Sequence, residues 1–228
     1  MKTSTQRVEI FSDGVMAILI TIMVIELKLP ELDESQGEYE IKNHIIELFP
    51  YFGAYIFSFT MIAILWTHHH HLFNLLETTD NILLGQNFFF LFWLSLIPFV
   101  TGMIGANPLI PLSTALYGFI MLMTTLFISL MRYHAINNKL LHVDEDKEIT
   151  KKMYQVFNRG KVRNYISTAA YLGSVVFAFF SVYASYFLFI IPVVLFLWPI
   201  GVDEEKIESK VIEKNSQLQI PGLSGWFL

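Results

Sequence analysis

Residues 7–27 read RVEIFSDGVMAILITIMVIEL, and the fold turns on whether this stretch crosses a membrane. Its charge-free part, Gly14 to Ile25, is only 12 residues long. A hydrocarbon core about 30 Å thick needs about 20 helical residues, so length alone would make this a soluble core helix or an interfacial segment. Its charges change that reading. Ionisable side chains within a span are expensive and face the bundle interior or water, so a span carrying Glu9, Asp13 and Glu26 is a candidate for the functional helix.

Composition puts the chain in a bilayer. Of 228 residues, 54% are hydrophobic and 15% charged, with 21 Phe, 10 Tyr and 4 Trp and a mean hydropathy of +0.51. That is too apolar for an ordinary soluble domain. Five further stretches have the length or composition of spans: 47–68, 82–104, 109–131, 164–183 and 184–200. The last two adjoin, and YASYF followed by Pro192 favours a tight hairpin over one 37-residue rod. With residues 8–27 as the first, the expectation is an all-α membrane protein of six transmembrane helices over residues 1–200, followed by a cytoplasmic tail at 201–228.

Charge fixes an orientation. Of 15 Lys and Arg, 13 fall in the N-terminal arm, in 132–163 or after residue 200, while Lys28 and Lys42 sit in an acidic loop. The positive-inside rule then makes both termini cytoplasmic, which an even number of spans satisfies. The net charge of −5 hides this separation. RGKVR at 159–163 abuts a span and reads as a headgroup anchor, not as a nucleic-acid patch. The chain has no Cys, so disulfides and thiolate metal sites are excluded. The first residues lack a signal peptide's apolar segment and cleavage site, so the N-terminus is expected to be retained.

On a helical wheel, Phe11, Val15, Ile18, Ile22, Ile25 and Leu29 fall within about 80° of one another. Glu9 and Asp13 lie on the opposite face with Ala17, Val24 and Leu27. An acidic face must turn into protein, which leaves the apolar stripe for lipid or for a second protein surface; the latter permits a symmetric oligomer with the stripe on its axis.

Residues 65–73 read LWTHHHHLF. Consecutive helical residues point about 100° apart, so His68 to His71 cannot converge on one ion, and no resident metal is expected. The histidines read as amphipathic rings at the membrane boundary, with one or two hydrogen-bonded inward. No nucleophile elbow, phosphate loop or paired carboxylates appear, so the chain is not expected to be an enzyme, and no TVGYG filter is present.

Arg7-x-x-x-Phe11-Ser12-Asp13 at the head of an apolar span resembles the RxxxFSD signature of the transmembrane protein 175 family of potassium channels. Trp66-x-x-His69, followed by Leu72 and Phe73, is similar to that family's WxxH element on the second span. His71 stands where prokaryotic relatives commonly carry Arg before Leu-Phe. The resemblance implies a homotetramer in a prokaryotic plasma membrane, with the first span of each subunit lining the pore. It places the constriction at Ile18, further apolar layers at Ile22 and Ile25, and a hydroxyl layer at Thr21. The expected partners are the bilayer, other copies of the chain and monovalent cations, with K+ as permeant ion, no cofactor and no nucleic acid. Arg7, Phe11, Ser12, Asp13, Trp66 and His69 form the motif and bracing network, with His69 expected to meet Asp13, because a buried carboxylate needs a partner. The alternative is a secondary transporter or metal exporter using Asp13 and His68 to His71.

Overall fold

In a computed structural model, residues 5–27, 46, 48–141 and 147–197 are described. The acidic loop, the segment 142–146 and the tail fall outside them. The described chain is helical: α1 (Thr5–Ile22), a 3-10 turn (Met23–Glu26), α2 (Phe49–Asn74), α3 (Asn81–Ser95), α4 (Ile97–Ala106), α5 (Pro111–Asn137), α6 (Lys147–Phe177) and α7 (Val182–Leu197). Among the described residues, four spans are long and apolar enough to cross a membrane: Thr5–Ile25, Phe49–Asn74, Asn81–Ala106 and Pro111–Asn137, with Val182–Phe196 a shorter apolar helix.

Local chemistry sets the boundaries. Asp80 caps α3 by accepting from the Leu83 N–H at 2.8 Å. The helix breaks at Leu96 because Pro98 supplies no N–H to continue it, so residues 81–106 form two helices instead of one rod. The hairpin before α7 falls at 178–181, earlier than YASYF suggests: that motif lies inside α7, as does Pro192. Ser181 decides this, since its hydroxyl accepts from the Ala184 N–H at 3.4 Å and starts the new helix. Ser185 then ties the hairpin by donating to the Ser174 carbonyl at 2.9 Å.

The interior is packed by Met61, Ile62, Leu83, Phe90, Leu94, Met121, Tyr171 and their neighbours. α4 approaches α2 so closely that a Cβ at Gly105 would lie 3.0 Å from the Tyr51 Cα, the small-residue contact that lets membrane helices pack backbone to backbone. Ser58, Tyr117 and Thr101 join α2, α5 and α4 through buried hydroxyl bonds of 2.8 and 2.7 Å.

One end of the bundle gathers three connections. Thr79 donates to Thr5 at 3.0 Å, His134 meets Asp80 at 2.8 Å, and Leu76 bridges Leu141. Lys139 takes a positive φ of 53° as α5 ends, and Leu140 N–H returns to the Ala135 carbonyl at 3.0 Å. The start of α1, the end of α2 and the end of α5 therefore share one face.

Candidate functional site

The first helix has two faces with different fates. Val8, Ser12, Met16, Leu19 and Met23 recur at helical spacing and are buried against the bundle. Phe11, Ile18 and Ile25 are more than half exposed, at 52%, 59% and 68%, and Ile22 is exposed at 41%. Val15 departs from this stripe by packing partly against the core.

The direction of the inward face corrects the wheel. Ala17 and Val24 are exposed, while the face packed into the subunit is centred on Ser12 and Met16. Ser12 is the physical reason. Its hydroxyl donates to the Val8 carbonyl at 2.9 Å and accepts from the Asn87 side chain at 2.9 Å. Asn87 in turn accepts at Oδ1 from His69 Nε2 at 2.9 Å. All three residues are fully buried. Because Asn87 spends its NH2 on Ser12, its oxygen requires His69 to carry a proton on Nε2, which fixes the neutral tautomer. Phe73 and Phe90 hold the His69 ring between them at 4.2 and 5.4 Å.

His69 therefore meets Asn87, not Asp13. Asp13 sits at the rim, where its Oδ1 accepts from Trp66 Nε1 at 2.9 Å. An indole reaching in from α2 satisfies the carboxylate, so no histidine is needed there. The Trp66 ring stacks on His70 at 5.4 Å, His70 Nδ1 lies 3.2 Å from Glu9, and Asn74 contacts His70 Nε2 at 3.0 Å. Three of the four histidines thus have distinct environments. His69 is locked in the core, His68 is also buried and meets Phe196 edge-on at 4.4 Å, and His70 is at the Glu9 rim. Two of them are buried, and of these His69 is hydrogen-bonded inward, to Asn87, within the one or two inward rings expected.

Phe11 of the signature packs edge-on against Phe88 at 6.0 Å, and Arg7 is exposed on the first turns of α1. Thr21 is exposed and its hydroxyl donates to the Ile18 carbonyl at 2.8 Å. Past Ile22 the helix tightens into the 3-10 turn that carries Ile25. Among the described residues, the group with metal-ligand spacing is Glu9, Asp13 and His70, whose donor atoms lie within 4.8 Å of one another. Asn87 escaped the sequence reading. The signal was an amide at the head of the aromatic run NFFFLFW, next to Gln86, since a polar side chain in such a span requires a buried partner.

The helix is thus held by a buried Ser–Asn–His relay on one side and largely exposed on the other, in a chain that resembles known proteins. Residues 7–98 match the family model described as endosomal/lysosomal potassium channel TMEM175. A potassium channel of Chryseobacterium sp. (strain P1-3) is 33% identical over 207 residues, covering 91% of this chain and 97% of the relative. This chain belongs to the TMEM175 family. The family is one of ion channels, not enzymes. The crystal structure of a lysosomal potassium-selective channel TMEM175 homolog from Chamaesiphon minutus has the same fold: TM-score 0.68 at 24% identity, covering 84% of this chain and 95% of that one. A Bos taurus endosomal/lysosomal proton channel TMEM175 is 35% identical over 75 residues, 31% of this chain and 16% of the relative. The chain is accordingly a multi-pass membrane protein of a channel family.

Proposed function

We propose that this chain is a potassium-selective channel that conducts passively through a pore lined by α1 of four identical subunits. The observation that carries the pore assignment is the outward half of α1, with Phe11, Ile18, Ile22 and Ile25 exposed in the single subunit. Four copies around an axis bring these side chains together. Ile18 forms the narrowest ring, Ile22 and Ile25 add apolar layers, and Thr21 offers hydroxyl oxygens between them. A ring of isoleucines closes the path without a plug, because a hydrated ion cannot enter an opening that narrow and apolar until it wets. K+ is the permeant ion; no resident cofactor is required.

The inward face is the scaffold against which that ring moves. Ser12, Asn87 and His69, with Asp13 and Trp66 at the rim, hold α1 to α2 and α3. Arg7 and Phe11 complete the signature at the start of the helix. Six spans with both termini cytoplasmic follow if the apolar part of α6 and α7 cross as a hairpin, which the Lys and Arg distribution supports. The setting is then a prokaryotic plasma membrane.

Because the chain has no cysteine, a single introduced thiol reports only contacts between copies. Ile18→Cys should form disulfide-linked dimers in native membranes, since bridged Cα atoms lie within about 7 Å. Absence of cross-linking at 18, with efficient cross-linking through Ile20→Cys, would place the axis on another face. Potassium flux from proteoliposomes, with valinomycin as reference, then tests conduction.

The cluster of Glu9, Asp13 and His70 favours a second reading, a secondary transporter or metal exporter using Asp13 and the region His68 to His71. Against it, His69 is committed to Asn87, and the cluster lies near the end of the bundle where transporter sites are usually central. Zinc uptake in fixed proportion to proton efflux, lost in His70→Ala, would establish that reading; potassium flux that follows the electrical gradient without protons or metal establishes the channel.

A further inference from the structure

Between the end of α5 and the middle of α6 lies a small cleft of about 70 Å³, lined among others by Arg132, Tyr133, Asn137, Lys161, Asn164 and Tyr165. None of the described residues lining it is acidic. Arg132 is 8% exposed, so its charge is drawn in from water instead of being spread on the surface. Gly160 makes this possible: any side chain there would overlap the Arg132 guanidinium. Lys161 stands over both tyrosines, 6.0 Å from the Tyr133 ring centre and 5.8 Å from that of Tyr165. A lysine so placed is steered by cation–π attraction toward the cleft mouth.

The surroundings indicate where an anion would come from. Tyr133 and Tyr165 are themselves more than half exposed, at 53% and 58%, and Leu130, Val162 and Ile166 expose apolar surface beside them. Exposed tyrosines next to apolar side chains mark the headgroup level of a bilayer, and basic pockets between spans at that level bind lipid headgroups. The cleft is at the bundle end where Asp80 meets His134, the same face as the start of α1. A space of this size suits a group as small as a phosphate.

We propose that this cleft binds the phosphate of an anionic phospholipid, with Arg132 and Lys161 as the cationic ligands, Asn164 and Asn137 as amide donors, and the acyl chains lying over Leu130 and Ile166. The site rests on the membrane placement of α5 and α6 and not on which ion the pore conducts, so its failure would leave the channel reading standing.

The full chain in detergent provides the test, with phosphatidylglycerol, phosphatidylcholine or inorganic phosphate added and binding followed by native mass spectrometry and thermal unfolding. Phosphatidylglycerol should bind and raise the unfolding midpoint, and the other two should not. Lys161→Ala, at an exposed position that should fold, should weaken phosphatidylglycerol binding about fivefold, the change that corresponds to about 1 kcal/mol for one cation near the surface. Lys139→Asn removes an exposed charge at the same bundle end and tolerates the positive φ there, so it should bind as wild type does. Equal losses from the two variants would mean diffuse attraction with no cleft site. Equal binding of both lipids, competition by inorganic phosphate at the same concentration, or wild-type binding by Lys161→Ala would each overturn the proposal.

Discussion

The two faces of α1 are made of nearly the same residues and are held in place by different means. The inward face, Val8 to Met23, is fixed by its own subunit through close packing and one buried polar chain from Ser12 to His69. The outward face, Phe11 to Ile25, is as apolar but stays largely exposed in its own subunit, where Phe11 meets Phe88 edge-on and Val15 packs partly against the core. Hydrophobicity does not distinguish the two, because in a bilayer lipid tails are as apolar as leucine. The polar anchor does. One serine at position 12, with one asparagine at 87 to receive it, sets the rotation of the helix and so decides which isoleucines are left for other copies.

Breaking the anchor should produce the largest loss. Asn87→Leu keeps the volume but strands the His69 N–H and removes a donor to Ser12, and a buried polar group left unpaired costs about 1–3 kcal/mol. Thermal unfolding in detergent should show destabilisation of about 2–3 kcal/mol for this variant. An unchanged midpoint would mean that packing alone orients α1.

At the rim the effect should be smaller. Trp66→Phe retains the ring stacking on His70 and deletes the bond to Asp13, which at an incompletely buried carboxylate contributes about 1–2 kcal/mol. Asp13→Ala should cost a similar amount, and the two together little more than either alone, because residues sharing one bond are not additive. Full additivity would separate Asp13 from Trp66 and return it to some other partner.

The smallest effect is expected where the connections meet. Partial burial works to raise the pKa of Asp80, and the Leu83 N–H with the His134 ring overcomes it, leaving the carboxyl below its ordinary value. A carboxyl with a depressed folded pKa stabilises above its unfolded pKa, and that contribution disappears as pH falls through the folded value. Asp80→Asn should therefore be slightly less stable than wild type at neutral pH and equal to it in acid below the carboxylate range. Because the side chain is 38% exposed, solvent screening keeps the difference small. A difference that persists in acid would assign the effect to lost capping geometry instead of charge.

The apolar stretches that became α1, α2, α3 with α4, and α5 were legible in the sequence, since long apolar runs have few other readings. The RxxxFSD and WxxH spacings also point to the contact between α1 and α2. Partner identity was harder to read. His69 and Asn87 are 18 residues apart on different helices, and Asn87 is one of two adjacent amides before an aromatic run, so nothing local couples it to Ser12. Charge drew attention to Asp13 because an ionised group asks loudest for a partner, yet the indole of Trp66 sufficed. The turn at 178–181 was missed for a related reason: FFSVYASYF contains two serines, and only the fold shows that Ser181 caps while Ser185 reaches back to Ser174.

The central claim is that the outward face of α1 forms the closed constriction at Ile18. Its most direct test is paired potassium and sodium flux through proteoliposomes containing Ile18→Asn, with Ile20→Asn as control. Ile20 packs partly against the core, so its replacement should impair folding without opening a path. Ile18→Asn should leave the fold intact, raise basal cation flux, because a polar ring wets more readily, and weaken discrimination between the two ions. Equal or lower flux through a well-folded Ile18→Asn protein would contradict the account and remove this residue from the gate.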